Sequence, residues 1–301
     1  MVEPGNNGAV SIGGAARRAM RRIRWRERLI GSAARLLRCG AEEAAAWQRG
    51  AIILLYHRIV DPGESVGDPF AVERRAFAEQ VHELAKRFTL VSVAQLVERL
   101  EAGEDVARFA AISFDDGYDC TYLQALPILR EAGIPATVFL DTGRIDAGGD
   151  GLTSEQVRAL VEQGWEIGSH TVSHGSAVEI SEEDWKRELR ESRMTLEGIT
   201  GRPVQGFAYP FGRYDVRAVE AVRATGYRYA CTCRQHRTNH PGDDPFLLTR
   251  LEINRADTLK RVRRKVAGQY ARVYAAWYRL NPATRAWVDD PLKRIGSLKN
   301  E

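Results

Sequence analysis

Apolar residues along this chain fall into two alternating rhythms. Short apolar runs of strand length are separated by stretches in which apolar residues recur every three or four positions, the helical spacing. Ile52–Tyr56 is the first run. Phe77–Phe88 follows as a helix, with Phe77, Val81, Leu84 and Phe88 on one face. Leu90–Val93 reads as a strand and leads into a helix reaching Leu100. Phe109–Phe114 is strand-like, and the helix after it, around Leu123–Glu131, stops at Gly133. Ala136–Leu140 is the next strand. Thr153–Gln156 has the pattern of a capping box opening a helix that Gly164 ends. Trp165–Gly168 is strand, Ser181 caps a long helix to about Gly198, and Gly206–Tyr209 is strand again. Val216–Ala224 is helix, ended by Gly226, and Tyr227–Thr232 and Leu247–Ile253 are the last strands. Strand–helix alternation of this kind predicts an α/β fold: a parallel barrel with helices outside, or an open doubly wound sheet. No glycine-rich dinucleotide fingerprint follows the first strand, and no phosphate-binding loop is present.

The two ends read differently. Residues 1–14 are Gly-rich and polar, the composition of disorder. Residues 15–47 read as helix, with Ile23, Leu29, Ile30, Leu36 and Leu37 among arginines that include Arg17, Arg18, Arg21, Arg22, Arg24, Arg26 and Arg28. Such a helix either packs on the main domain or lies on an anionic membrane surface, a peripheral contact. Residues 256–301 read as helical, with an aromatic face of Tyr270, Tyr274, Trp277 and Tyr278 for packing beside the barrel or on a partner. The formal net charge of +4 is too small to imply nucleic-acid binding. Four cysteines in 301 residues make no disulfide framework. No secretory signal and no run of apolar residues long enough to span a membrane is seen, so a cytoplasmic location, membrane-associated if the basic helix docks, is expected.

Chemistry concentrates where strands end. In parallel α/β folds functional groups sit at the C-terminal ends of the strands. Phe109–Phe114 runs into Asp115-Asp116-Gly117, Trp165–Gly168 into Ser169 and then His170-Thr171-Val172-Ser173-His174, Ile52–Tyr56 into His57, and the strand ending at Tyr209 into Pro210-Phe211-Gly212. Adjacent carboxylates after an apolar strand repel one another, and a cation would resolve the conflict. One could bind it while the other faces substrate; an exposed Asp-Asp-Gly turn is the plainer alternative. His170 and His174 are four apart, which on a helical turn or loop places both rings on one side. With one Asp they make a two-histidine, one-carboxylate set that leaves coordination positions open. A second group, Cys231, Cys233, His236 and His240, has the composition of a structural zinc site. Alternation along a strand separates its cysteines, so buried thiols and loop histidines are the favoured reading. His82 reads as a helix-surface residue.

At these positions the sequence resembles the polysaccharide deacetylase family, also called the NodB-homology domain or carbohydrate esterase family 4. Ser113-Phe114-Asp115-Asp116-Gly117 is similar to its first motif, His170-Thr171-Val172-Ser173-His174 to its second and Tyr209-Pro210-Phe211-Gly212 to its third. The resemblance implies a distorted parallel (β/α) barrel of about seven strands over residues 51–255, between a disordered start plus basic helix (1–50) and a helical C-terminal extension (256–301). It implies that Asp115 is the general base, that Asp116, His170 and His174 bind a divalent metal, zinc or another transition metal, and that Tyr209, Pro210, Phe211 and Gly212 line a substrate groove. The family chemistry is hydrolysis of the acetamide on N-acetylglucosamine-type sugars, or of O-acetyl esters in some members. The opening Leu54-Leu55-Tyr56-His57-Arg58-Ile59 resembles a subgroup associated with exopolysaccharide modification.

The pattern departs from the family twice. Ala208 stands where an arginine that orients the base is usual, and Leu248-Thr249-Arg250 lacks the histidine usual for the general acid. Arg250 is therefore expected to orient Asp115, and His57 to protonate the leaving amine. The backbone N–H of Tyr118 is expected to help stabilise the oxyanion. The partner implied is an N-acetylated oligo- or polysaccharide. Two other readings keep the fold: an amidohydrolase of a non-sugar amide, and an inactive glycan-binding protein.

Overall fold

A computed structural model of the chain describes residues 41–64 and 68–280. The strands are β1 (Ile52–Tyr56), β2 (Arg58–Val60), β3 (Ala71–Glu73), β4 (Thr89–Val91), β5 (Phe109–Phe114), β6 (Thr137–Leu140), β7 (Glu166–Ser169), β8 (Gly206–Ala208), β9 (Tyr229–Cys231) and β10 (Leu251–Glu252). The helices are α1 (Ala41–Arg49), α2 (Arg74–Ala85), α3 (Val93–Glu101), α4 (Leu126–Glu131), α5 (Ser154–Glu162), α6 (Glu182–Thr200), α7 (Val216–Ala224), α8 (Leu259–Val266) and α9 (Ala271–Leu280). The basic helix expected over 15–47 lies outside the described residues up to position 40. So does the last part of the C-terminal extension, 281–301. None of the described helices is long and apolar enough to cross a membrane.

Seven strands form one parallel sheet in the order β10-β1-β5-β6-β7-β8-β9. Strand β4 shares an edge of β5 with β6: Thr89–Val91 pair with Phe109–Ala111, whereas Ser113 and Phe114 pair with Thr137 and Val138. The sheet curls until its ends approach. Leu248 bridges to Cys231, its N–H donating to the Ala230 carbonyl at 3.0 Å while the Thr232 N–H donates to the Leu248 carbonyl at 2.8 Å. Three residues later Leu251 pairs with Leu54 of β1. The strand expected over Leu247–Ile253 is therefore two short pieces. The segment bonds first to one end of the curled sheet and then to the other, and it turns between them at Thr249 and Arg250.

Alternation along the strands sorts the core into two layers. Ile52, Leu54 and Tyr56 of β1, and Ala110, Ile112 and Phe114 of β5, pack outward under Phe77, Val81 and Leu84 of α2. Ile53, Ala111, Phe139, Ala208, Tyr229 and Cys231 form the inner layer. Two rings fill much of that interior. Phe139 lies so close to β7 that a Cβ on Gly168 would sit 2.4 Å from its ring, and only glycine leaves it room. The inside is a packed core and not a pore.

The helix ends follow the sequence signals. Thr153 accepts from the Gln156 N–H at 3.2 Å and the Gln156 side chain accepts from the Thr153 N–H at 2.9 Å, the reciprocal box expected there. Ser181 caps α6, and Gly201 ends it in left-handed backbone. The described C-terminal segment packs on the sheet side. Buried Lys265 donates to the Glu252 carbonyl at 2.6 Å and to Asp257 at 2.7 Å, and Tyr278 donates to the Cys233 carbonyl at 2.7 Å.

Glu166 opens β7 at the end of the barrel away from the strand C-termini. It accepts from the Tyr229 hydroxyl, from Thr137 at 2.7 Å and from the Ala94 N–H at 2.9 Å. Burial pushes its carboxyl up, and these donors only partly offset that, so the group sits above its ordinary value. The folded chain then holds this proton more tightly than the unfolded chain. The group's stabilising contribution is full below the unfolded carboxyl value of about 4.3 and is lost as pH rises through the higher folded value. Urea denaturation of the parent and of Glu166→Gln across that range should show the variant gaining ground as pH rises. A stability difference that does not change with pH would contradict this.

Candidate metal centre

One end of the curled sheet collects the polar residues expected there. Asp115 and Asp116 leave β5, His170 leaves β7, Pro210–Gly212 follows β8 as a tight turn, and His57 sits between β1 and β2. Arg250 arrives from the turn before β10. Among the described residues, four of the five non-glycine positions with left-handed backbone are here: Asp116 (φ 72°), Thr171 (72°), His174 (57°) and Phe211 (59°). Such positions cost about 1–3 kcal/mol each and persist where surrounding structure over-determines them, which is characteristic of functional sites.

A helical turn or helical loop is the expected setting of His170 and His174, and the structure differs. They lie in an irregular loop, and the left-handed residues Thr171 and His174 fold it back on itself. The outcome is nevertheless convergence. The two Nε2 atoms are 3.2 Å apart, and Asp116 Oδ1 lies 3.5 Å from His170 Nε2 and 3.3 Å from His174 Nε2. His170 Nδ1 is 2.8 Å from the Ala208 carbonyl, which can only accept, so Nδ1 carries the proton and Nε2 offers its lone pair.

These residues fit a divalent metal. Ligand atoms about 2.0–2.1 Å from a tetrahedral ion lie about 3.3–3.4 Å apart, close to the three separations observed. The electrostatics agree. Burial pushes the His170 ring down, but Asp115 and Asp116 more than offset it and leave it above its ordinary value. Burial likewise pushes Asp116 up, yet His170 and His174 hold it well below the carboxylate range. Among the described residues, Asp116, His170 and His174 are the group whose ligand atoms converge in this way. The rival set does not converge. Cys231 is buried in the inner layer, Cys233 lies 3.8 Å from an Arg250 nitrogen, His236 packs on Tyr278 and His240 bonds to Thr238.

Asp115 faces the barrel interior with Ala111 and Ser113, by the alternation of β5. Arg250 grips it with both arms, Nη1 to Oδ1 and Nη2 to Oδ2, each at 2.7 Å. Their side chains are 3% and 0% exposed, so the pair is shut away from water. Burial alone would raise the Asp115 carboxyl. The Arg250 charge leads the opposing effects and leaves it below its ordinary value, hence ionised. Arg250 is held in turn by the Thr232 carbonyl at 3.0 Å. The side chain that the third motif lacks at Ala208 thus has a counterpart from elsewhere in the chain.

Around this core His57 packs on Phe70, with ring centroids 4.8 Å apart, and its buried Nδ1 has no partner among the described residues. The third-motif run is mostly interior. Tyr209 is fully buried against Phe207 and Tyr214, and Pro210 and Gly212 are buried too. Only Phe211, 58% exposed and edge-on to His174 at 4.5 Å, offers a surface to a ligand. The Tyr118 ring carries the guanidinium groups of Arg58 and Arg144 at 4.3 and 4.6 Å, and both arginines pair with Asp150. That cluster leaves no mark in the sequence, because its members come from three separate segments, around Arg58, around Tyr118 and over 144–150. His82 is exposed on α2, as expected.

Comparison with known proteins places this arrangement. The family model described as polysaccharide deacetylase matches residues 102–230. The chain is 28% identical over 180 residues to YxkH of Bacillus subtilis (strain 168), a protein provisionally named a polysaccharide deacetylase; the match covers 60% of this chain and spans 63% of that one. It is 24% identical over 232 residues to the poly-β-1,6-N-acetyl-D-glucosamine N-deacetylase of Staphylococcus epidermidis, covering 69% of this chain and 80% of that one. The fold matches that of the Streptococcus pyogenes deacetylase PplD, solved in complex with acetate, with a TM-score of 0.66 over 72% of this chain and 98% of that one at 21% identity.

The buried pair makes a direct prediction. Arg250→Leu strands an unpaired carboxylate in the interior, which costs about 3–5 kcal/mol of folding stability. Arg250→Lys should restore only part of it, because a single ammonium cannot make two parallel bonds to one carboxylate. Denaturant midpoints of the three proteins measure both effects, and an Arg250→Leu variant as stable as the parent would refute the account.

Proposed function

From the match of residues 102–230 to the polysaccharide deacetylase family model, we propose that the protein is a metal-dependent hydrolase removing N-acetyl groups from an N-acetylhexosamine-containing glycan or glycan precursor. The observation that carries the proposal is the ionised Asp115 carboxylate, clamped by Arg250 beside the converged Asp116, His170 and His174. A pure binding protein needs ligands or a groove, but it has no use for a buried base held ready at such cost. Exposed Phe211 next to His174 offers an aromatic face suited to a sugar ring. The Staphylococcus epidermidis relative, named for poly-β-1,6-N-acetyl-D-glucosamine, points to the same substrate class.

Asp116, His170 and His174 would hold the ion, zinc being the best fit to two imidazoles and a carboxylate. When bound, the ion supplies a water of lowered pKa and polarises the acetamide oxygen. Asp115 takes the proton from the attacking water, and Arg250 keeps the carboxylate ionised and aimed for that transfer. The backbone N–H of Tyr118 donates to the oxygen on which negative charge develops. The bridge between Tyr118 and Gly151 leaves that N–H uncommitted, since it is made by the Asp119 N–H to Asp150 and the Leu152 N–H to Gly117. His57 gives a proton to the departing nitrogen, a role supported by its place at the strand ends between β1 and β2 and by a buried Nδ1 without a partner among the described residues. Acetate and a free amino sugar leave.

Acetate release from an N-acetylglucosamine oligomer should stop with chelator and return with zinc. Asp115→Asn should lower turnover about 10²–10⁴-fold with zinc content unchanged. His57→Asn should behave alike, and near-normal turnover would remove His57 from the acid role. Failure of the parent chain to release acetate from any N-acetylated glycan, with zinc bound, would overturn the proposal.

A further inference from the structure

The loop between the two histidine ligands is held from outside the metal centre. Residue Glu188 projects from α6, one position before buried Leu189 and three after buried Trp185, so it starts from a well-anchored helix. Its Oε2 accepts two successive backbone N–H groups, from Val172 at 2.7 Å and from Ser173 at 2.9 Å. Its Oε1 accepts from the Ser173 hydroxyl at 2.8 Å. Hydrogen bonds to an ionised acceptor are stronger than neutral ones, and consecutive N–H groups converging on one oxygen form an anion-binding concavity.

The loop's carbonyls are gripped from another side. The Thr142 N–H donates to Thr171 at 3.0 Å and the Gly143 N–H donates to Val172 at 2.8 Å. That approach is close enough that a Cβ on Gly143 would lie 2.5 Å from the Val172 oxygen. Residues 171–173 are thereby clamped between two rigid elements while Thr171 and His174 stay in left-handed backbone. The two histidines are secured unequally. His170 is buried and tied to the Ala208 carbonyl. His174 is half-buried, and its place depends on how the preceding three residues are folded.

We propose that Glu188 is the positioning residue of the metal centre: by binding the Val172 and Ser173 N–H groups it folds the loop so that His174 meets His170 and Asp116, and it thereby sets the affinity for the ion. The inference rests on the reading of Asp116, His170 and His174 as metal ligands. Glu188 touches neither ion nor substrate. It acts through the loop, as outer partners of ligating histidines do, and loss of such a partner typically weakens metal binding about 10–100-fold.

Isothermal titration of zinc into the metal-free full chain provides the test, together with the urea midpoint of each metal-free protein. Glu188→Ala should weaken zinc binding about 10–100-fold. Glu188→Gln keeps one acceptor oxygen and should fall between that variant and the parent, as should Ser173→Ala, which removes the hydroxyl bond alone. The midpoints of the metal-free proteins should move little by comparison. Should Glu188→Ala fail to fold, the other two variants carry the same test. Parent-like zinc affinity in Glu188→Gln and Ser173→Ala, with lowered midpoints, would show a merely structural contact and overturn the inference. His170→Ala separates the two levels of the argument. If the parent binds no zinc, or binds it no better than His170→Ala, the metal reading fails and Glu188 loses its role with it. If only the Glu188 and Ser173 variants match the parent, the metal reading survives and the positioning role does not.

Discussion

The bidentate pair of Asp115 and Arg250 constrains this structure more than any other contact at the site. An ionised carboxylate at the mouth of a packed interior is costly unless a matched charge and oriented hydrogen bonds accompany it. Arg250 supplies both, at 2.7 Å on each arm. Delivering it requires the chain to leave β9 at Leu248 and join β1 at Leu251, with the guanidinium turned inward between these two attachments. Closure of the curled sheet and ionisation of Asp115 are therefore consequences of one segment's path. Ala208 contributes by being small, since it shares the inner layer near the pair and presents its carbonyl to His170.

The same economy governs the candidate metal ligands. Asp116, His170 and His174 come from the ends of only two strands, and regular backbone would separate them. Left-handed residues at Asp116, Thr171 and His174 fold the two strand ends toward each other. Strain of this kind needs compensation nearby, and here Ser169 accepts from the Thr171 N–H, Glu188 accepts from the Val172 and Ser173 N–H groups, and the Thr142 and Gly143 N–H groups donate to the Thr171 and Val172 carbonyls.

Much of this was legible in the sequence because it is local. The β/α rhythm reported the strands, since alternating faces and helical spacing each leave a mark within a few residues. Asp115, Asp116, His170 and His174 announced themselves by falling at strand ends. What resisted reading was everything that depends on distant partners or on backbone sign. The helical reading of the histidine loop failed because nothing in Thr171 or His174 signals a left-handed conformation, as a glycine would have done. The split of Leu247–Ile253 was hidden because an apolar run looks the same whether it has one neighbour or changes neighbours midway. Tyr209 looked like a groove residue by its motif, yet alternation along β8 turns it outward into the layer beneath the helices, and Phe211 alone of that run reaches solvent. Arg250 could be nominated because an expected arginine was missing, while its reach to Asp115 across the closed sheet was a matter for three dimensions. Glu188 left a faint trace: an acid set between Trp185 and Leu189 on the inward stripe of α6 needs a donor to face.

The barrel's two ends hold carboxyl groups in opposite ways. At one end Glu166 is boxed by Tyr229, Thr137 and the α3 N-terminus, and it sits above its ordinary value with no basic side chain bonded to it. At the other, Asp115 and Asp116 are held below theirs by an arginine and two histidines. Between them Phe139 and Tyr229 fill the interior, their rings 6.4 Å apart and edge to face. Asp115 lies on the far side of that plug from Glu166, at the strand ends that also bring together His57, Phe211 and the Asp116–His170–His174 group. If the proposed function holds, a polymer lying across that end would suit it, with one acetamide turned toward Asp115 and exposed Phe211 beside His174 at the edge of the surface.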